Sequence, residues 1–207
     1  EAFCLVPTHP LGDDDRPAGP STSPESGLSL KLLERARRAR SYSEVAPKLL
    51  PSVSDERIDA RVARDLLVES ASALVDAEEE LELAEALLVA ADERMPADVE
   101  VLRMLVGLRR RLPRRPLVDA LVELSRALGG DLESLREACT VALRMLDDVE
   151  LALQTGRELF ELAVTRYEGG GAGEELDDVT VWVVDVIATL LRDRGELEAV
   201  LGLLLRT

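Results

Sequence analysis

The chain has 207 residues, enough for one or two domains and a sizeable buried core. Hydrophobic residues make up 46%, charged residues 32% and aromatics 2%, which is too charged for a membrane protein, too apolar for a disordered one and too poor in aromatics for an all-β sandwich. The net charge of −16 repels nucleic acid and anionic lipid at long range.

In chain order, residues 1–27 form one unit, with Pro7, Pro10, Pro17, Pro20 and Pro24 set among Gly, Ser and the triplet Asp13–Asp15. Such a stretch cannot sustain a helix and reads as an extended tail or linker. From Leu28 the apolar spacing becomes helical, so residues 28–207 read as one helical domain. A first helix is expected through Ala39, and a short second one from Ser43–Val45. Asp55 is the expected cap of Ile58–Val75. Further helices are expected over Glu78–Arg94, Asp98–Leu112 and Pro116–Leu128, stopped by Pro96, Pro113 and Gly129-Gly130. Asp131 then caps a helix through Leu146, and Val149–Tyr167 follows. After the glycine-rich break Gly169–Gly173 come Val179–Arg192 and Glu196–Leu205. The connections are short, which makes neighbouring helices antiparallel.

No apolar run approaches the roughly 18 residues that cross a bilayer, so the expectation is a cytoplasmic protein without membrane insertion. Lys31 and Lys48 are the only lysines, and Asn is absent. That bias reads as a bacterial, high-GC genome. The chain starts at Glu1 without Met and closes on the apolar run Leu201–Leu205. The expectation is a piece of a longer protein, or an end covered by a partner or by the tail.

No residue set signals catalysis, and no cofactor is expected. His9, the sole histidine, lies in the Pro-rich tail, whereas a general base needs an ordered site. Cys139 sits among Ala138, Val141 and Ala142 and reads as a core thiol. Cys4 is far away in sequence, and two cysteines with one histidine cannot make a four-ligand zinc site. Gly169–Gly173 lacks the Lys-Ser/Thr of a phosphate loop. Asp13–Asp15 lacks calcium-loop spacing. The carboxylate run Asp76–Glu80 reads as a solvated helix start. Two arginine clusters stand out in so acidic a chain: Arg35, Arg37, Arg38 and Arg40, and Arg109, Arg110, Arg111, Arg114 and Arg115.

The helices recur with a period of about 33 residues: Asp98-Val-Glu-Val-Leu102 returns as Asp131-Leu-Glu-Ser-Leu135. Ala71, Ser72, Ala84, Ala91 and Pro96 in one unit, and Ala188, Gly195 and Leu197 in another, have the small-residue and turn spacing of the tetratricopeptide repeat. Residues 28–207 resemble that family. The middle units depart from it: Pro113 and Pro116 stand at the tight turn, and Cys139 takes a small-residue position. The resemblance implies an all-α, right-handed α-solenoid of about five antiparallel helix pairs. It also implies a protein-interaction scaffold rather than an enzyme. The first helix of each pair would line a concave groove, with Arg103, Arg110, Arg136, Arg144 and Arg192 as its cations and Trp182 as an apolar anchor. Glu69, Ala73 and Asp76 would face it from the 65–98 unit. An acidic or amphipathic protein or peptide is the implied guest, and Asp13–Asp15 is one in cis. A regulatory or sensor domain of a larger signalling protein, bound to other domains of its own chain, is the alternative reading.

Overall fold

The structure, a computed structural model, describes residues 31, 34, 42, 44–53, 58–111, 114–171 and 173–206. Residues 1–27, including Cys4, His9 and Asp13–Asp15, lie outside these, as do Asp55 and the basic run Arg35–Arg40. Of the first expected helix, Lys31 and Glu34 are described, and both are helical.

Among the described residues there are nine further helices and no strand. They are α1 (Ala46–Val53), α2 (Ala60–Asp76), α3 (Leu81–Arg94), α4 (Val99–Arg109), α5 (Arg115–Ala127), α6 (Leu132–Arg144), α7 (Val149–Glu168), α8 (Glu174–Asp193) and α9 (Leu197–Leu204). Each packs on its neighbours in sequence, and α6 also touches α8. The fold is an α-solenoid of stacked helix pairs. α2/α3, α4/α5, α6/α7 and α8/α9 are its complete pairs, and α1 packs on the first of them.

The starts of the helices are written in aspartates. Asp59, Asp98, Asp131 and Asp148 each accept backbone N–H bonds from the first turn that follows, satisfying donors that the helix leaves open. Asp98 and Asp131 cap α4 and α6 as their repetition predicts. The α2 cap is Asp59, not Asp55. Ile58 belongs to the turn before it, where its buried side chain precedes the cap. α3 begins at Leu81, three residues later than expected, because Glu78 and Glu80 adopt left-handed backbone (φ 55° and 41°) and turn the chain. The carboxylate run Asp76–Glu80 therefore ends α2 and forms a turn; it does not start a helix. α8 begins at Glu174 rather than at Val179.

The core is a continuous aliphatic seam between the helices, built from Leu, Val and Ala with Phe160 as its largest member. Small residues set the closest crossings. A Cβ at Gly156 of α7 would lie 3.2 Å from Ile187 of α8 and 3.6 Å from Cys139 of α6. Cys139 is fully buried, as expected of a core thiol. Its Sγ lies 3.4 Å from the Ala152 carbonyl oxygen, and burial pushes the thiol above its ordinary range.

Candidate functional site

Arginines tie successive pairs together in two rows. On the first-helix row, Arg64 of α2 donates to Asp98 Oδ2 (3.0 Å) and Oδ1 (3.1 Å) at the start of α4, and also to Glu100. Arg110, just after α4, donates to both carboxylate oxygens of Glu137 on α6 (2.7 and 2.5 Å). Arg136 of α6 lies over the Trp182 ring of α8, 5.2 Å from its centroid. On the second-helix row, Arg126 of α5 grips Glu158 of α7 (3.0 and 3.1 Å), and Arg206 after α9 grips Glu161 of α7 (2.6 and 2.7 Å). Bidentate pairing of this kind suits guanidinium, whose fork matches a carboxylate; lysine would offer a single point charge.

Of the residues expected to line a groove, the structure brings two together as a pair, Arg136 and Trp182. Arg110 faces the same row, but Glu137 engages it and holds its guanidinium more firmly charged than usual. Arg136 also reaches Glu133 at 3.4 Å. Arg103 and Arg144 are exposed and make no ion pair among the described residues. Arg192 is exposed and donates to Thr189 at 3.4 Å. On α2, Glu69 and Ala73 are half-buried and Asp76 is exposed. The second arginine cluster is divided. Arg109 donates to Glu85 (2.7 Å) and to the Pro116 carbonyl (2.9 Å), while Arg111, Arg114 and Arg115 are exposed.

Periodicity alone did not reveal the role of Arg64. Its ion pairs and its largely covered side chain (13% exposed) make it part of the framework. The neighbouring carboxylates raise its pKa, and burial only partly offsets them. Burial would raise the Asp98 carboxyl, but Arg64 and the N–H groups of Val101 and Glu100 bring it below the ordinary range. No group of three or more His, Cys, Asp or Glu side chains among the described residues is placed to hold a metal. No helix among them is long and apolar enough to cross a membrane.

No family model matches the chain, and no curated protein does. Among solved structures, the chain is similar to MamA from Desulfovibrio magneticus, at 11% identity and a TM-score of 0.41, over 89% of this chain and 93% of that one. It is likewise similar to a tetratricopeptide repeat protein from Parabacteroides merdae, at 11% identity and a TM-score of 0.42, over 87% of this chain and 78% of that one. A de novo designed helical repeat protein matches at 18% identity and a TM-score of 0.30, over 84% of this chain and 95% of that one.

Proposed function

We propose that the chain is a non-enzymatic interaction scaffold of the cytoplasm, binding an acidic or amphipathic peptide along its first-helix row. The observation that carries the reading is Arg136 lying over Trp182 across the α6–α8 gap. This pair joins a cation to a half-buried aromatic on two different repeats. Trp and Arg are the residue types that most often dominate binding energy at an interface. A rigid stack of helices holds them in place, so little ordering entropy is lost when a peptide docks. Arg103 of α4 and Arg144 of α6 are exposed cations on the first helices of their pairs, and an acidic guest would bridge from them to the Trp182 ring.

Trp182 is the chain's sole tryptophan, so its emission reports on this surface directly. Titration with a glutamate-rich peptide, and separately with a peptide spanning residues 9–20, is expected to shift that emission saturably. Arg103→Glu with Arg144→Glu should weaken binding by about tenfold or more, since each removes attraction and adds repulsion. Both positions are exposed, so circular dichroism should stay unchanged. Unchanged emission, or equal affinity in the doubly substituted protein, would overturn the proposal.

A further inference from the structure

Three members of the second arginine cluster, Arg109, Arg111 and Arg114, line one pocket where α3 meets the end of α4 and the start of α5. Its volume is about 100 Å³, and the buried side chains of Leu108 and Leu117 give it an apolar base. Arg109 is fixed from two sides. It donates to Glu85 of α3 (2.7 Å) and to the Pro116 carbonyl of α5 (2.9 Å), and its side chain is only 15% exposed. Arg111 and Arg114 are exposed, and neither makes an ion pair among the described residues. Of the lining carboxylates, Glu85 is engaged by Arg109 and Glu82 is exposed. Like charges that converge on one cavity repel each other, and an anion between them relieves the repulsion.

We propose that this pocket binds the phosphate group of a phosphorylated serine or threonine on a partner protein. Size argues for a group rather than a whole ligand. A water takes about 30 Å³ of liquid, so the pocket has room for about three, whereas sites that enclose a small molecule run to several hundred cubic ångströms. The anion must therefore be carried on something larger. A phosphomonoester brings nearly two negative charges and three acceptor oxygens, enough to engage Arg111 and Arg114 together. A carboxylate brings one charge and suits a single guanidinium fork. The short stem of the phosphorylated residue would rest on Leu108 and Leu117. Nucleic acid carries its phosphates as diesters of one charge each, and the chain's net charge of −16 repels such a polyanion. The pocket shares no residue with the Arg136–Trp182 pair, so this proposal and the peptide reading fail independently.

The test titrates the isotope-labelled full chain with three short capped peptides that differ only at a central phosphoserine, glutamate or serine, and separately with inorganic phosphate. Backbone amide NMR signals give the place and the affinity. The phosphoserine peptide is expected to shift the amides of Arg111, Arg114 and Leu117 saturably. It should bind at least about fivefold tighter than the glutamate peptide, and the serine peptide should leave these signals unmoved. Its affinity should fall severalfold as salt rises from about 0.1 to 1 M. Arg111→Gln and Arg114→Gln, both at exposed positions, should each weaken it by about tenfold, with unchanged circular dichroism and an unchanged response to the glutamate-rich peptide at Trp182. Glu82→Gln removes the opposing charge and should tighten it by about twofold. Unmoved pocket signals would overturn the proposal, as would indifference to both arginine substitutions. Equal affinity for phosphoserine and glutamate would do so by making the pocket a site for any acidic side chain. Inorganic phosphate binding as tightly as the phosphoserine peptide would do so by assigning it to the free ion.

Discussion

A single guanidinium at Arg64 spans two repeats, and the carboxylate it meets has a second duty. Asp98 caps α4 through the N–H groups of Glu100 and Val101 while accepting two bonds from Arg64. The start of one helix is thereby anchored to the flank of another. Arg64→Ala should cost about 2 kcal/mol, because it strips a covered, charge-assisted contact. Arg64→Lys should recover only part of that, because lysine lacks the fork. Chemical denaturation of the two variants measures both. Asp98 itself was legible in the sequence, since it returns as Asp131 in the same local context. Arg64 was not: nothing in its spacing separates a structural arginine from a surface one, and its partners on the next repeat, Asp98 and Glu100, lie more than thirty residues away. The same limit applies to Arg110, which reads as a groove cation until Glu137 is seen beside it.

The helices themselves were legible where apolar period and cap agree. They were misplaced where the chain uses an unusual residue for a turn. Glycine marks the α5–α6 and α8–α9 turns openly, with Gly129, Gly130 and Gly195 in left-handed backbone. Glu78 and Glu80 do the same before α3 without advertising it. The first turn of α8 is hidden for another reason: Glu174, Asp177 and Asp178 interrupt the apolar rhythm, although carboxylates suit a helix N-terminus. The small-residue logic of the repeat holds most sharply at Gly156, where α7 meets both α6 and α8. Gly156→Leu is expected to destabilise the protein by about 1–3 kcal/mol through overpacking against Ile187. In Gly156→Ala, improved helix propensity is set against a 3.2 Å contact, so it should change stability far less. Thermal unfolding of the pair distinguishes close packing from a generic helix effect.

Across the whole molecule, the excess of carboxylates makes acidity a stabilising variable over a limited range. Asp92 is raised above the ordinary carboxylate range, first by burial, and one of its oxygens, Oδ1, has no hydrogen-bond partner among the described residues. Glu123 is raised as well, by burial and then by the carboxylates of Asp92 and Asp119. A carboxyl whose pKa is higher folded than unfolded binds more protons in the native state, so stability falls as pH rises through that window. Asp98 and Glu161 are shifted the other way, Asp98 by Arg64 and backbone N–H groups against its burial, Glu161 first by Arg206. Their contribution is present above the unfolded carboxylate pKa of about 4 and is lost as pH falls through their lower folded values. Stability is therefore expected to rise as pH falls through the raised folded values of Asp92 and Glu123, and then to fall in stronger acid as Asp98 and Glu161 become protonated. Asp92→Asn should raise the melting temperature at pH 7 by up to about 3 °C and flatten the gain in stability on mild acidification. A calorimetric pH series on both proteins checks the sign.

The order of packing along the chain also bears on how the protein is made. Each helix rests mainly on the one or two that precede it. During synthesis a new hairpin can therefore dock on a surface already in place, and no helix among the described residues has to wait for a distant segment. Folding can keep step with the ribosome, and little apolar surface stays open while the rest of the chain is being translated.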